Sequence, residues 1–463
     1  MTTSNHSTIR FIGFSIPTTP GDLVSIGDPN GPGAVAGMYL GNDDLLTDIE
    51  ARIAVLKNAV DAAKAQLPAG EDPTQVTNLF VAPEFFFHGT QGPYVYESID
   101  EDPVSVILAK LTATFNATDY PNWTFVCGSA VTAQIDNINN LYASNSVTVR
   151  NAVVESLSKQ WLEAFGPLNG VIFDMLVNFI KNCHSYPVIE VRNRALIVSN
   201  ILLDAPGKEL NTNTMTTEKY YVSNEDFLLY ETSGNPRVVT EQMTAYPFID
   251  LTSGDLKQSA YDKYAIFRQN YGAGNFPTYM DFGVEICLDH SDVRLRRNID
   301  NEPFPLPTDA VHVQIIPSCG MQIQPASVAA DANGFVFNCD GQYSLDTTSA
   351  QTQQGNMNGV QSIYTNYAVS GNSNYQAHTQ LARVQVPAHG GDPNRHTSAN
   401  ATFQTLDPTD TAVVPVPATP DLDQYFAGGS GAVHIYGLKT PYILYPVNTE
   451  AAAPKLALAG ERP

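Results

Sequence analysis

The chain lacks any long apolar run. No stretch approaches the ~18 uninterrupted apolar residues of a membrane-crossing helix, so no span is expected. Its first residues, Met1-Thr2-Thr3-Ser4-Asn5-His6-Ser7, are polar and show no basic-then-apolar leader, so export is not expected either. Cysteine is sparse and scattered: Cys127, Cys183, Cys287, Cys319 and Cys339 are odd in number and form no CxxC pair. That pattern argues against a disulfide framework or a zinc site and for reduced thiols in a cytoplasmic protein. The Asn-X-Ser/Thr triplets at Asn116, Asn122 and Asn400 are then chance matches. Positive charge is also short. With 24 Lys+Arg against 47 Asp+Glu the net charge is −23, which disfavours nucleic acid or an anionic membrane as partner. No internal repeat of fixed period is visible.

What is present suits a large globular protein. The chain has 463 residues, 43% of them hydrophobic, enough for a sizeable core. Thr8 to Phe14 reads as a strand and Ile16 to Gly41, rich in Pro and Gly, as a loop. Leu45, Ile49, Ile53, Leu56, Val60 and Ala63 recur at helical spacing after Asn42 or Asp43, and Pro68-Ala69-Gly70 ends that helix. Val76 to Ala82 is a buried strand, Pro103 to Ala113 a helix, and Trp123 to Ser129 a third strand. This β-α-β-α-β order predicts an α/β fold with a layered sheet. Helices are expected in 146–181, strands at 190–199, 279–286 and 310–317, and loops at 205–218, 230–278 and 344–374. Segments 334–338 and 380–386 read as edge or hairpin strands, 430–445 as a further strand pair, and 446–463 as a tail.

Three strand ends carry the chemistry. Gly283-Val284-Glu285-Ile286-Cys287-Leu288-Asp289-His290 is an apolar strand entering a polar turn with cysteine at the join, and helix is expected to begin just beyond, at Ser291–Arg297. An elbow of this kind exposes a nucleophile while nearby backbone N–H groups face the same atom. Glu84 closes the second strand in Pro83-Glu84-Phe85-Phe86-Phe87-His88, and Lys219 follows the strand at 190–199 and its loop. In layered α/β sheets ligands sit beyond the carboxyl ends of strands, so the three could share one rim. A thiol of free pKa ~8.5 is a weak nucleophile at neutral pH and needs a base or cation beside it. Glu84 can take the thiol proton and later activate water. Lys219 and the Leu288 backbone N–H can stabilise a developing oxyanion. Among other candidates, His184, His290 and His312 invite a metal or a Cys-His dyad, but His312 on its strand reads as structural; His290 sits three positions from Cys287 and could touch the site, and Cys319 follows the next strand and reads as structural.

The ordered set Pro83-Glu84-Phe85-Phe86, Glu218-Lys219-Tyr220-Tyr221 ahead of Asp226-Phe227, and Gly283-Val284-Glu285-Ile286-Cys287-Leu288-Asp289 resembles the signature segments of the nitrilase superfamily, the carbon–nitrogen hydrolases. Two departures accompany it. Glu218 stands where the family carries a basic residue, and His290-Ser291-Asp292 precede Arg294, where the family places an arginine closer to the cysteine. The resemblance implies one domain over 1–463 forming a four-layer α-β-β-α sandwich with a Glu84-Lys219-Cys287 triad. It implies hydrolysis of a non-peptide C–N bond, amide more readily than nitrile, through a Cys287 thioester. It implies no metal or organic cofactor, a small-molecule amide or nitrile substrate, and a homodimer or higher homo-oligomer. A second glutamate that positions substrate or water would be Glu225, with Glu231 as the alternative. The segment 131–187 reads as a helical insertion, either a cap over the site or an oligomer contact. Two other functions stay open: an acyltransferase that passes the acyl group to an amine, and a binding or structural protein on a decayed scaffold.

Overall fold

The computed structural model describes residues 7–18, 40–72, 75–90, 93–96, 98–135, 189–205, 208–219, 228–229, 238–239, 265–271, 278–296, 310–344, 355–366, 375–388, 400–426, 429–445 and 447–448. The fold is mixed α/β, with much strand and few helices. In chain order the site-bearing elements are β1 (Ser7–Ser15), α1 (Leu45–Lys64), β2 (Val76–Ala82), β3 (Tyr94–Tyr96), α2 (Pro103–Thr114), β4 (Trp123–Ile135), β5 (Ile189–Ala205) and β6 (Lys208–Glu218). After the small pair β7 (Leu228–Leu229) and β8 (Val238–Val239) come β9 (Ile266–Tyr271), β10 (Thr278–Val284), the one-turn α3 (Leu288–Ser291), β11 (Val311–Ser318) and β12 (Ala330–Ser344). The remaining strands are β13 (Gly355–Met357), β14 (Val360–Asn366), β15 (Tyr375–Val386), β16 (Thr402–Gln404), β17 (Thr411–Pro415), β18 (Ala432–Tyr436), β19 (Tyr442–Leu444) and β20 (Val447–Asn448). No described helix is long and apolar enough to cross a membrane.

All but β7 and β8 join one 18-stranded sheet. In its first half β1, β2 and β4 run parallel, β5 and β6 follow antiparallel, and β18 and β19 both pair with β1 on its other side. In the second half β10, β11 and β12 run parallel, flanked by antiparallel β9 and β15. Leu203 and Asp204 at the far end of β5 pair with β9, which links the halves.

Strand periodicity sorts side chains into two cores. Ile12, Phe14, Phe80, Ala82, Phe125, Cys127, Leu196 and Val198 face α1 and α2. Alternate residues Ile9, Phe11, Leu79, Val81, Val126, Ala195 and Ile197 meet Phe282, Val284, Val313, Ile315, Phe335, Phe337 and Leu381 from the second half. The sheet therefore curls into two facing leaves over a shared core. They approach closely at Gly13, where a Cβ would come within 2.4 Å of Thr379. Both helices begin on a side-chain cap: Asp44 accepts from Thr47 N–H and Asp102 from Val104 N–H, with Pro103 in the first turn.

The outer face of the second leaf, with Val311, Ile316, Val336, Ala382 and Val384, packs against Leu295, Ile323, Val328 and Ala401. No long helix covers it among the described residues, so the fourth layer is not seen there. Several expectations need correction. The stretch 205–218 contains strand β6, because its threonines are β-branched and alternate, with Met215 and Thr217 inward. β9 occupies part of 230–278, and the hairpin β13–β14 part of 344–374. That hairpin turns on Asn358-Gly359, both at positive φ, as a two-residue turn between twisted strands requires. β12 and β15 are interior, not edge, strands. Helix beyond the cysteine begins at Leu288, earlier than Ser291. In the expected insertion 131–187, residues 131–135 continue β4 and the remainder lies outside the described residues.

Candidate active site

The rim beyond the ends of β2, β6, β10 and β11 gathers the three expected residues. β2 delivers Glu84 after Pro83, and Glu84 is fully buried. Its segment docks on a bulge of β4: Phe85 N–H donates to Ser129 Oγ at 2.9 Å and Phe87 N–H to the Ser129 carbonyl at 3.0 Å. Gly128, at φ 72°, makes that approach possible, since a Cβ there would lie 2.3 Å from the Pro83 carbonyl oxygen. Below, Arg52 of α1 donates to the Phe86 carbonyl at 3.1 Å.

β6 ends at Glu218 and places Lys219, itself buried, beside Glu84. Lys219 Nζ lies 2.7 Å from Glu84 Oε1. Asn193, early in β5, binds both partners: its Nδ2 donates to Glu84 Oε1 at 2.9 Å and its carbonyl accepts from Lys219 N–H at 2.7 Å. The ammonium also lies 5.5 Å from the centre of the Phe85 ring, within cation–π range.

β10 leads into Cys287, which caps α3 with φ 48° and retains 6% of its surface exposed. Eight described non-glycine residues have positive φ, and the three that are neither Asn nor Asp are Phe85, Cys287 and Val293. Phe85 and Cys287 lie at this rim and Val293 just beyond the helix that Cys287 opens, and such backbone strain persists only if the surroundings impose it. Cys287 N–H donates to the Pro317 carbonyl at 3.1 Å, and Sγ lies 3.8 Å from the Cys319 carbonyl oxygen. Burial, first, and the Glu84 charge, second, push the thiol well above its ordinary range, while Lys219 pulls it down. The sulfur therefore rests protonated and lies in the field of both charged partners. Leu288 opens α3, and the first amides of a helix lack intrahelical acceptors, so its N–H suits an oxyanion.

The residues after Cys287 brace the elbow. His290 is fully buried and turned away from chemistry: its Nδ1 lies 2.6 Å from Glu285 Oε1 and its Nε2 accepts from Gln324 N–H at 2.8 Å. Glu285 also accepts from Leu295 N–H at 3.0 Å and from the Gln314 side chain. Arg294 binds Asp289 at 2.7 Å and donates to the Glu218 carbonyl, tying the cysteine elbow to the lysine segment. Cys319 reaches the rim through its carbonyl, and His312 is a half-buried acceptor for Asp281 N–H. Glu225 and Glu231 lie outside the described residues, as do Tyr220, Tyr221 and His184. No cluster of three potential metal ligands occurs among the described residues.

Sequence reasoning missed Asn193, Ser129 and the tie made by Arg294. The one visible signal for Asn193 is an uncharged polar residue between Arg192 and Arg194, just ahead of the apolar run Ala195-Leu196-Ile197-Val198.

The arrangement can take a proton from a thiol onto a buried carboxylate and hold negative charge beside an ammonium. No protein-family model matches this sequence, and no curated protein matches it significantly.

Proposed function

We propose that the chain is a carbon–nitrogen hydrolase with Cys287 as nucleophile, on an α-β-β-α sandwich of the nitrilase type. The single observation that carries this reading is the buried Lys219–Glu84 pair, 2.7 Å apart, whose opposed charges both act on the Cys287 thiol. A structural ion pair has no need of a thiol at a strained elbow beside it. The substrate class is a small amide, with nitriles second.

Glu84 removes the Sγ proton as sulfur attacks the carbonyl carbon and forms the C–S bond. The oxyanion that develops faces the Lys219 ammonium and the Leu288 N–H. Glu84 returns the proton to the departing nitrogen, the C–N bond breaks, and a thioester remains on Cys287. Water then gives a proton to Glu84 and attacks the thioester; the acid leaves and the proton returns to sulfur. Asn193 shares Oε1 with Lys219, which holds the carboxylate plane through the cycle.

A panel of amides and nitriles, with product analysis in the presence and absence of added amines, tests the reading. Acid and ammonia or amine are expected, in amounts unaffected by the added amine. Conversion of the acyl group to a new amide would assign transfer instead. No turnover across the panel, with an unreactive thiol, would favour a binding protein on this scaffold.

A further inference from the structure

A second polar cluster lies behind the thiol, and the proposed chemistry makes no use of it. Asp340 of β12 is fully buried. Its Oδ2 accepts from the Ser318 hydroxyl, Gly320 N–H and Met321 N–H, each at 2.7 Å, and its Oδ1 from Gln342 N–H at 2.8 Å. Asn338, two residues earlier on the same face of β12, donates from Nδ2 to the Met321 carbonyl at 2.8 Å, and its Oδ1 lies 2.7 Å from the Ser318 hydroxyl. β12 thus grips turn 318–321 from behind.

The front of that turn and the residue before it support the reacting groups. Cys287 N–H donates to the Pro317 carbonyl, Glu84 N–H to the Ser318 carbonyl at 3.4 Å, and the thiol faces the Cys319 carbonyl. A buried carboxylate with four donors is costly if its only purpose is to shape a surface turn. It is explicable where the turn must not move, because small displacements of reacting groups are expensive in rate.

We propose that Asp340 is a positioning residue for Cys287: its carboxylate holds turn 318–321 in the shape that sets the thiol against Glu84. This rests on the reading of Cys287 as nucleophile. Asp340 contacts neither the sulfur nor Glu84 through any of the hydrogen bonds described, so it acts through the turn. Burial raises its carboxyl to about 7, against the lowering effect of its donors. Protonation there replaces a charged acceptor with a weaker neutral one and loosens the grip. The buried groups nearest to it titrate outside that window. His378 of β15, 3.5 Å from Oδ1, is depressed to about 3 by burial, as is His434 of β18 behind it. Cys339 on the same strand is pushed well up by burial. Cys319 lies in the turn itself, its thiol 3.7 Å from Gln342 Oε1, and Tyr364 of β14 stacks on His378.

Alkylation of Cys287 by iodoacetamide in the full chain, followed by peptide mass spectrometry between about pH 5 and about pH 9, tests this without a known substrate, since it follows the thiolate itself. Wild type is expected to show an inflection near neutrality on top of the general rise with pH. Asp340→Asn should lose the inflection and react roughly tenfold or more slowly at the alkaline end, the scale on which misplaced groups are felt. Ser318→Ala, which removes one donor but keeps the carboxylate, should move the inflection to higher pH, because the charged form loses a stabilising hydrogen bond. It serves equally if Asp340→Asn does not fold. A reactive Cys287 indifferent to these substitutions overturns the proposal and leaves the nucleophile reading standing. A wild-type Cys287 that resists alkylation at every pH overturns both.

Discussion

Lys219 Nζ sits 2.7 Å from Glu84 Oε1, and both side chains are shielded from water. Charges so buried depend on one another, and removing one partner leaves the other uncompensated, at a cost of ~3–5 kcal/mol. Lys219→Met and Glu84→Gln should each lower stability on that scale in urea titrations. The double variant should recover most of the loss, because neutral groups of similar volume require no compensation. It should remain without activity. A double variant as unstable as the two losses summed would remove mutual compensation from the account.

Arg52 extends the same logic below the site. It is fully buried, binds Asp48 at 2.7 Å and the Leu40 carbonyl at 2.7 Å, and supports the Phe86 carbonyl. Arg52→Ala should cost ~3–5 kcal/mol, since Asp48 would lose its buried partner. Lys57→Ala, which breaks the exposed pair with Asp61 on the same helix, should fall within ~0–1 kcal/mol. Thermal melts of the two variants make the comparison. Equal losses would contradict the role given to burial.

Acid stability should be set in part by two histidines. His378 and His434 are fully buried and depressed to about 3, chiefly by burial. In the unfolded chain they bind protons below the ordinary histidine value of 6.5, so there the unfolded state holds more protons than the folded one. Their contribution is complete above that value and is lost as pH falls from it towards about 3. Asp340 works in the opposite sense. Its raised carboxyl makes the folded state the better proton binder between 3.8 and about 7, so its contribution declines as pH rises through that window. His434→Gln should therefore flatten the acid limb of a stability–pH curve, and Asp340→Asn should steepen it. Denaturant midpoints across the range read both.

Much of the fold was legible because buried strands and amphipathic helices repeat with fixed periods. β1, α1, β2, α2 and β4 follow such patterns. β6 escaped because its alternation is written in Thr and Asn, which read as loop until Met215 and Thr217 are seen facing inward. The β13–β14 hairpin carried the Asn358-Gly359 turn signal and could have been found from it. At the site, Glu84 and Cys287 could be singled out because each closes an apolar run, and Lys219 through its place in the ordered set, since the strand it follows, β6, read as loop. Asn193, Ser129 and Asp340 could not: each acts through contacts distant in sequence, such as Asn193 to Glu84, Ser129 to Phe85 and Asp340 to Gly320. Only the sheet order brings such pairs together.

The central claim is that Cys287 carries the acyl group. The most direct measurement is intact-protein and peptide mass spectrometry after rapid acid quenching of the protein with an amide that it turns over. An acyl adduct is expected on Cys287, absent in Cys287→Ala, with turnover lost in that variant. Turnover that survives Cys287→Ala, or an acyl adduct on any other residue, would contradict it.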